Sequence, residues 1–312
     1  MPFKQLNTLA KDRIPFLFVV DYKAKNIDVI RLDELKENDI EFSIDEFYTF
    51  KEHPHSFDVK VIEFKEYKKK FDKVIQKIKS GDTYLLNLTQ ESEIDTLLDL
   101  KEIYRLANAH YKLRYKDKFV CFSPEKFIQI KDDKISTFPM KGTIDASTPN
   151  AKDKLLNDEK EMAEHIMIVD LLRNDLSIVS SNVKVVKFRY ITEIEAGDKK
   201  LLQVSSHISG DLDKEWHSRL GDILEKLLPA GSISGTPKRS TLDIIDDIEG
   251  YERGYFSGVF GVYDGESLDS GVMIRFIEKK EDKYVYKSGG GITLDSDARL
   301  EYKELQEKIY LP

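Results

Sequence analysis

Apolar and polar positions alternate in short runs through the first sixty residues. Phe16–Val20, Ile27–Ile30 and Val59–Phe64 read as strands, separated by polar segments that contain Asn26, Asn38 and Pro54. At Lys65 the period changes. Tyr67, Phe71, Val74, Ile75 and Ile78 recur at three- and four-residue steps with lysines between them, which predicts a helix over Lys65–Ser80 ended by Gly81-Asp82. Tyr84–Thr89 reads as a strand and Leu97–Tyr111 as a second helix. Phe119–Phe122 and Phe127–Ile130 bracket Ser123-Pro124-Glu125, so Glu125 falls at a strand junction. Ile135–Phe138 runs into Pro139-Met140-Lys141-Gly142-Thr143, and Leu155–Leu172 is the longest helical pattern. Val183–Tyr190 and Leu201–Ile208 predict strands, and Trp216–Leu228 a helix. Pro229–Pro237 is a loop that opens a helix over Lys238–Ile248, with Pro237 near the first turn, where proline is favoured. Three strand-like runs follow, Tyr255–Tyr263, Gly271–Glu278 and Tyr284–Ser288, then Gly289-Gly290-Gly291 and a last helix over Ala298–Ile309. Strands and helices mix without strict alternation. This predicts an α+β fold with largely antiparallel sheets, not a doubly wound parallel one.

Composition narrows the classes. With 40% hydrophobic and 11% aromatic residues, the 312-residue chain can bury a large core, which excludes a disordered protein. Its formal charge of −8 argues against a general binder of nucleic acid or anionic membrane, both of which need a basic face. The lone Cys121 can form neither an internal disulfide nor a zinc cluster. The opening segment has no long apolar core or small-residue cleavage site and is a poor signal peptide, and no run approaches the ~20 apolar residues of a membrane helix. The expectation is a cytoplasmic protein, in which the Asn87-Leu88-Thr89 sequon carries no meaning.

Several constellations carry chemistry. Glu161 and Glu164 lie three apart in the long helical pattern, and Glu301 and Glu304 repeat the spacing in the last one. That spacing puts each pair on one helix face. Two such faces opposed would offer hard oxygen ligands to Mg²⁺; two solvated faces are the commoner arrangement in a chain with 34% charged residues. Gly231-Ser232-Ile233-Ser234-Gly235-Thr236-Pro237-Lys238 has the glycines and hydroxyls of an anion-binding loop without the Gly-Lys-Ser/Thr of a Walker A motif, and reads equally as a tight turn. The Gly289–Gly291 triplet permits close approach to the backbone or forms a turn. Lys141, flanked by apolar residues, is either desolvated and partly neutral or a lysine that snorkels to water. Asp170, Arg173 and Asp175 suggest a structural ion-pair network, the Glu164-His165 step is no zincin motif, and His53 and His55 read as surface residues.

Together these segments resemble the chorismate-utilising enzymes: anthranilate, aminodeoxychorismate, isochorismate and salicylate synthases. The matches come in family order: Ser80-Gly81-Asp82-Thr83-Tyr84 with Asn87-Leu88-Thr89; Ser123-Pro124-Glu125; Pro139–Thr143; Glu161–His165 with Val169–Leu176; Gly231–Lys238; and Gly289–Ile292 with Asp295–Asp297 and Glu301–Glu304. They span about residues 66–310. Residues 1–60 resemble a shortened N-terminal region packed on a chorismate-binding catalytic domain over 61–312. The Pro-x-Lys-Gly-Thr form is similar to aminodeoxychorismate synthase component I, whereas anthranilate synthases usually carry alanine where Lys141 stands. The resemblance implies two large, mostly antiparallel sheets in a two-lobed sandwich with helices outside.

It also implies roles. Mg²⁺ held by Glu164 and Glu304, supported through water by Glu161 and Glu301, would bind the ring carboxylate of chorismate. Glu125 matches the general acid, and Lys141 a nucleophile that attacks C2 as the C4 hydroxyl leaves, before ammonia adds at C4. Arg275 and Lys238 match residues that grip substrate carboxylates, and Gly142, Thr143 and Gly289–Gly291 match further substrate contacts. Leu85 stands where aminating members have glutamine and water-adding members lysine; Phe256 stands in place of a family tyrosine. Ammonia would come from a separate glutamine amidotransferase subunit, since no nucleophile-elbow signature surrounds Cys121. The alternatives are anthranilate synthase component I and a non-catalytic, chorismate-binding regulatory subunit.

Overall fold

The computed structural model describes residues 2–46, 57–196 and 199–310, so His53 and His55 lie outside the described residues. The chain begins with α1 (Pro2–Lys11), β1 (Phe16–Val20), β2 (Ile27–Arg31), β3 (Ile40–Ile44), β4 (Asp58–Lys60) and α2 (Phe64–Lys79). It continues through β5 (Leu85–Asp95), α3 (Leu100–Leu106), β6 (Tyr111–Tyr115), β7 (Phe119–Ser123), β8 (Lys126–Lys131), β9 (Lys134–Thr137) and β10 (Met140–Asp145). Next come α4 (Ala151–Asn157), α5 (Glu159–Val179), β11 (Ser181–Ala196), β12 (Lys199–Asp211) and α6 (Leu220–Leu227). The last third holds the single turn α7 (Gly231–Ser234), β13 (Gly235–Thr236), α8 (Lys238–Glu249), β14 (Val259–Tyr263), β15 (Leu268–Val272), β16 (Phe276–Lys280), β17 (Lys283–Ile292) and α9 (Ala298–Glu307).

Two sheets form, and every strand pair described is antiparallel. One runs β10-β12-β9-β8-β15-β14-β1-β2, with β11 on the far side of β12; the other runs β13-β5-β17-β16-β7-β6-β3, with β4 on β5. The period-2 alternation of their strands divides side chains among three large cores and a small fourth one under α4, which takes Leu202 and Val204 of β12. On β1, Leu17 and Val19 enter the core between the sheets, while Phe16, Phe18 and Val20 face α1, α5 and α6. On β7, Phe119 and Cys121 enter the same inter-sheet core, while Val120 and Phe122 face the core under α2, α3, α8 and α9. The result is a helix–sheet–sheet–helix sandwich. Strands buried on both faces read as unbroken apolar runs for this reason. Residues 2–44 supply α1 and strands to both sheets. Among the described residues no helix is long and apolar enough to cross a membrane.

Several expectations need correction. The pattern at Val59–Phe64 yields only the short β4, and Phe64 already opens α2. The helix expected over Leu97–Tyr111 stops at Leu106, and Tyr111 begins a strand. The Leu155–Leu172 pattern is two helices, broken where Asp158 caps α5 by accepting from the Glu161 amide (2.9 Å). Gly271–Glu278 divides into β15 and β16, and the glycine triplet lies inside β17 rather than in a turn.

Candidate active site

The chain crosses between the two sheets at Pro124-Glu125, from β7 to β8, and again at Met273–Arg275, from β15 to β16. The crossings touch: the Val272 amide donates to the Glu125 carbonyl (3.0 Å). Glu125 and Arg275 therefore sit side by side at the seam of the sandwich. The Ser232 hydroxyl, on α7, donates to Glu125 Oε1 at 2.5 Å. Burial pushes the Glu125 carboxyl above its ordinary range; the Ser232 bond and the charges of Lys308 and Arg275 offset only part of that push. Arg275 adopts a left-handed backbone (φ 51°), which is costly for a side chain with a Cβ. Its guanidinium lies over the Tyr310 ring, 5.7 Å from the centroid. Its Nε is buried and has no hydrogen-bond partner among the described residues.

The Asp158 cap fixes the phase of α5. Glu164 and His165 then continue the stripe of Ile168, Val169, Leu172 and Leu176 that faces the core. Opposite them, β10 slips register between Met140 and Thr143, and this irregularity carries Lys141 and Gly142. Lys141 Nζ meets Glu164 Oε2 at 2.6 Å. Gly142 (φ 84°) packs so closely on α5 that a Cβ there would lie 3.3 Å from Glu161 Oε2. Burial alone would lower the Lys141 ammonium. Glu164, with Glu161 and Glu304 beyond it, outweighs burial and holds it above the usual lysine value. The apolar flanks of Lys141 thus do not decide its charge.

The last helix closes the site. Asp297 caps α9 by accepting from the Arg299 and Leu300 amides, and turns Glu301 inward. Glu301 Oε1 accepts from Ser296 Oγ (2.8 Å), and Glu304 Oε1 pairs with Lys308 Nζ at 2.6 Å. Lys308 also donates to the Gly289 carbonyl (2.8 Å). Burial pushes Glu304 up, but Lys308, Lys141 and Arg275 together hold it below its ordinary value. Gly290 is the bare wall between them; a Cβ there would stand 3.3 Å from Glu301 Oε2 and 3.7 Å from Glu304 Oε1. One residue along, Gly291 packs against Leu85.

Glu161, Glu164, Glu301, Glu304, Lys141, Arg275, Glu125 and the glycine triplet therefore converge on one cleft. Thr143 is exposed at its edge, beside a cavity of about 190 Å³ lined by Gly142, Leu155, Asp158 and Glu161. Lys238 is placed differently. Its ammonium pairs with Asp175 Oδ2 (2.9 Å) and donates to the Leu227 carbonyl (2.9 Å), tying α8 to α5 and α6. Asp175 therefore takes Lys238 as partner, and Arg173 pairs with Asp170 on the surface (2.7 Å). Phe256 is buried between the sheets beside Phe276, so its missing hydroxyl faces the core. Buried His165 shares a 2.7 Å bond with Ser206 Oγ and is held neutral, pushed down to about 4 by burial and by the charges of Arg189 and Lys141.

Sequence reasoning missed Ser232 as a partner of Glu125, and Lys308. The four-residue step from Glu304 to Lys308 on a helix is a readable signal for the second. Among the described residues no group of three His, Cys, Asp or Glu side chains forms a ready-made metal cage. The donor chemistry nevertheless fits a hard cation. Four carboxylates already outnumber the cations of Lys141, Lys308 and Arg275, and an anionic substrate would add further negative charge.

Residues 17–311 match the family model described as chorismate binding enzyme. An uncharacterized PabA-like protein of Haemophilus influenzae is 45% identical over 313 residues, which cover 99% of this chain and 95% of that protein. Aminodeoxychorismate synthase component 1 of Bacillus subtilis is 31% identical over 77% of this chain, and the match spans about half (53%) of that enzyme. Among solved structures, anthranilate synthase component I of Streptococcus pneumoniae superposes with a TM-score of 0.70 at 27% identity, covering 93% of this chain and 70% of that one.

Proposed function

Because the chain belongs to the chorismate-binding enzyme family, we propose that it is an aminodeoxychorismate synthase component I, which replaces the C4 hydroxyl of chorismate with an amino group. The observation that carries this reading is the pairing of an acid raised by burial, Glu125, with a lysine, Lys141, across one cleft whose walls carry the four glutamates. Lys141, which Glu164 keeps as an ammonium until that carboxylate is engaged by a cation, first gives its proton to solvent; the neutral amine then attacks C2, and the C4–O bond breaks as the Glu125 proton passes to the departing hydroxyl, giving water. Ammonia then forms the C4–N bond, and Lys141 leaves with the electrons of its bond to C2. Glu125 recovers its proton from the new ammonium group. Arg275, with its buried Nε lacking a partner, suits a bidentate grip on a substrate carboxylate. Glu164 and Glu304, helped by Glu161 and Glu301, would hold Mg²⁺, which would neutralise the ring carboxylate.

Residues 61–312 form the catalytic part in this reading, and residues 1–60 a shortened N-terminal region woven into both sheets. Ammonia comes from a glutamine amidotransferase partner in the cytoplasm. The second reading is anthranilate synthase component I, favoured by the likeness to the Streptococcus pneumoniae structure. Lys141 speaks against it, since alanine is usual there in that branch. Incubation with chorismate, Mg²⁺ and ammonium, followed by mass spectrometry, should yield aminodeoxychorismate. Anthranilate fluorescence would overturn the assignment, and tight chorismate binding without turnover would favour a regulatory subunit. Lys141→Ala should lower amination by at least a hundredfold while leaving the Mg²⁺ dependence of chorismate binding intact; near-normal output from that variant removes Lys141 from the chemistry.

A further inference from the structure

Side chains alternate along β5. Leu86 and Leu88 enter the core beneath α2, α8 and α9, and Leu85, Asn87 and Thr89 turn to the other face. Thr89 is satisfied there, since its hydroxyl meets Glu249 Oε1 at 2.7 Å. Asn87 is not. Its Oδ1 is buried and accepts no hydrogen bond among the described residues. Buried acceptors without a donor are rare, because desolvation is then uncompensated.

The strand gives Asn87 little freedom to relax. Arg253 Nη2 donates to its carbonyl at 2.6 Å, and β17 pairs it with Gly291. That partner has no side chain, so the cross-strand flank of Asn87 is bare backbone. Leu85, two residues along, packs on the same glycine. The other arm of Arg253, Nη1, donates to the Ile233 carbonyl (3.1 Å), next to Ser232, whose hydroxyl holds Glu125 at 2.5 Å. One guanidinium therefore fixes both the strand that carries the orphan acceptor and the turn that holds the acid.

We propose that Asn87 Oδ1 accepts an N–H of the incoming ammonia and orients it for attack. The inference rests on the amination reading above. An amide oxygen accepts a hydrogen bond without taking a proton, so the nitrogen keeps the lone pair that becomes the C–N bond. A carboxylate at the same place would favour ammonium, which has no lone pair to give. Leu85 supplies the adjoining wall and offers no base to a competing water. Asn87 thus becomes the residue that selects the nucleophile, since Leu85 beside it carries no polar group.

The test is steady-state amination at saturating chorismate and Mg²⁺ with ammonium chloride varied, using ¹⁵N-ammonium and mass spectrometry of the product. Asn87→Ala should raise the KM for ammonium by about tenfold or more, the loss of one hydrogen bond. The chorismate KM should stay within about twofold, because in this proposal Asn87 binds the ammonia and makes no hydrogen bond of its own to chorismate. Asn87→Asp, nearly isosteric and suited to binding the cation, should lower kcat without raising the ammonium KM. If Asn87→Ala does not fold, Asn87→Ser carries the same expectation. An unchanged ammonium KM in a folded, aminating variant overturns this inference alone, as does a parallel rise in both KM values. Turnover of chorismate by the unaltered protein without ¹⁵N incorporation overturns the amination reading itself.

Discussion

Burial and hydrogen bonding pull in opposite directions at Glu125. Burial raises the carboxyl, and the 2.5 Å bond from Ser232 stabilises the ionised form and lowers it. Removing that bond in Ser232→Ala should raise the carboxyl further, moving the limb of kcat/KM for chorismate that Glu125 sets upward by about one pH unit. A limb that stays in place would separate Glu125 from the proton that sets it. Stability gives an independent reading. A carboxyl raised in the folded state contributes its full stability below the unfolded value, and loses it as pH climbs through the folded value. Glu125→Gln cannot ionise, so its melting temperature should match the parent near pH 4 and exceed it at pH 8. The gain should be about 1–2 °C for each kcal/mol of buried charge relieved. Equal differences at both pH values would show that the carboxyl is not raised. That Glu125 sits at a strand junction was legible from the apolar runs on either side of it, and its role as the acid only from the resemblance. The charge of Lys141 was not, because Glu164, which sets it, comes from another element and no local pattern announces their contact.

At the scale of elements, helices and strands betrayed themselves where one period held, and misled where two met. Residues 155–172 keep a helical rhythm across a real break, since the Asp158 cap restarts the helix almost in phase. Tyr111–Tyr115 was hidden because buried Lys112 and Arg114 interrupt the apolar run; their charges are met by the Ala107 carbonyl and by Asp39 and Glu41. The glycine triplet looked like a turn, yet pairing with β5 holds it extended. That pairing separates the three positions. A Cβ on Gly289 would fall 2.3 Å from the Leu88 carbonyl oxygen, which the ladder cannot move cheaply, whereas one on Gly291 would meet only the Leu85 side chain at 3.3 Å. Gly289→Ala should therefore lower the melting temperature by several degrees, in line with a loss of ~2 kcal/mol or more. Gly291→Ala should melt within about 2 °C of the parent and raise the chorismate KM instead. Identical thermal losses in the two variants would contradict this division.

The whole molecule depends on how two sheets, each covered by helices, are joined at a seam. Periodicity gave the α+β class, but which strands share a sheet is a matter of non-local pairing that no window of sequence contains. The Arg253–Glu249 pair shows what the seam requires. Both side chains are almost fully buried, with contacts of 2.6 and 2.8 Å between them. Glu249 also accepts from the Thr89 amide and hydroxyl, while Arg253 lies over the Tyr22 ring (4.4 Å) and reaches the Asn87 and Ile233 carbonyls. The pair thus clamps β5, α7 and α8 around the connection into β14. Arg253→Met leaves a carboxylate in the core without its cation, and should cost about 3–5 kcal/mol of unfolding free energy. Adding Glu249→Gln removes the stranded charge but keeps acceptors for Thr89, so the double variant should recover part of that loss. Urea unfolding of the parent, both single variants and the double variant measures the coupling. A loss below about 1 kcal/mol in Arg253→Met, typical of a solvent-exposed pair, would mean that water reaches this network and that the seam is held by the inter-sheet aromatics instead.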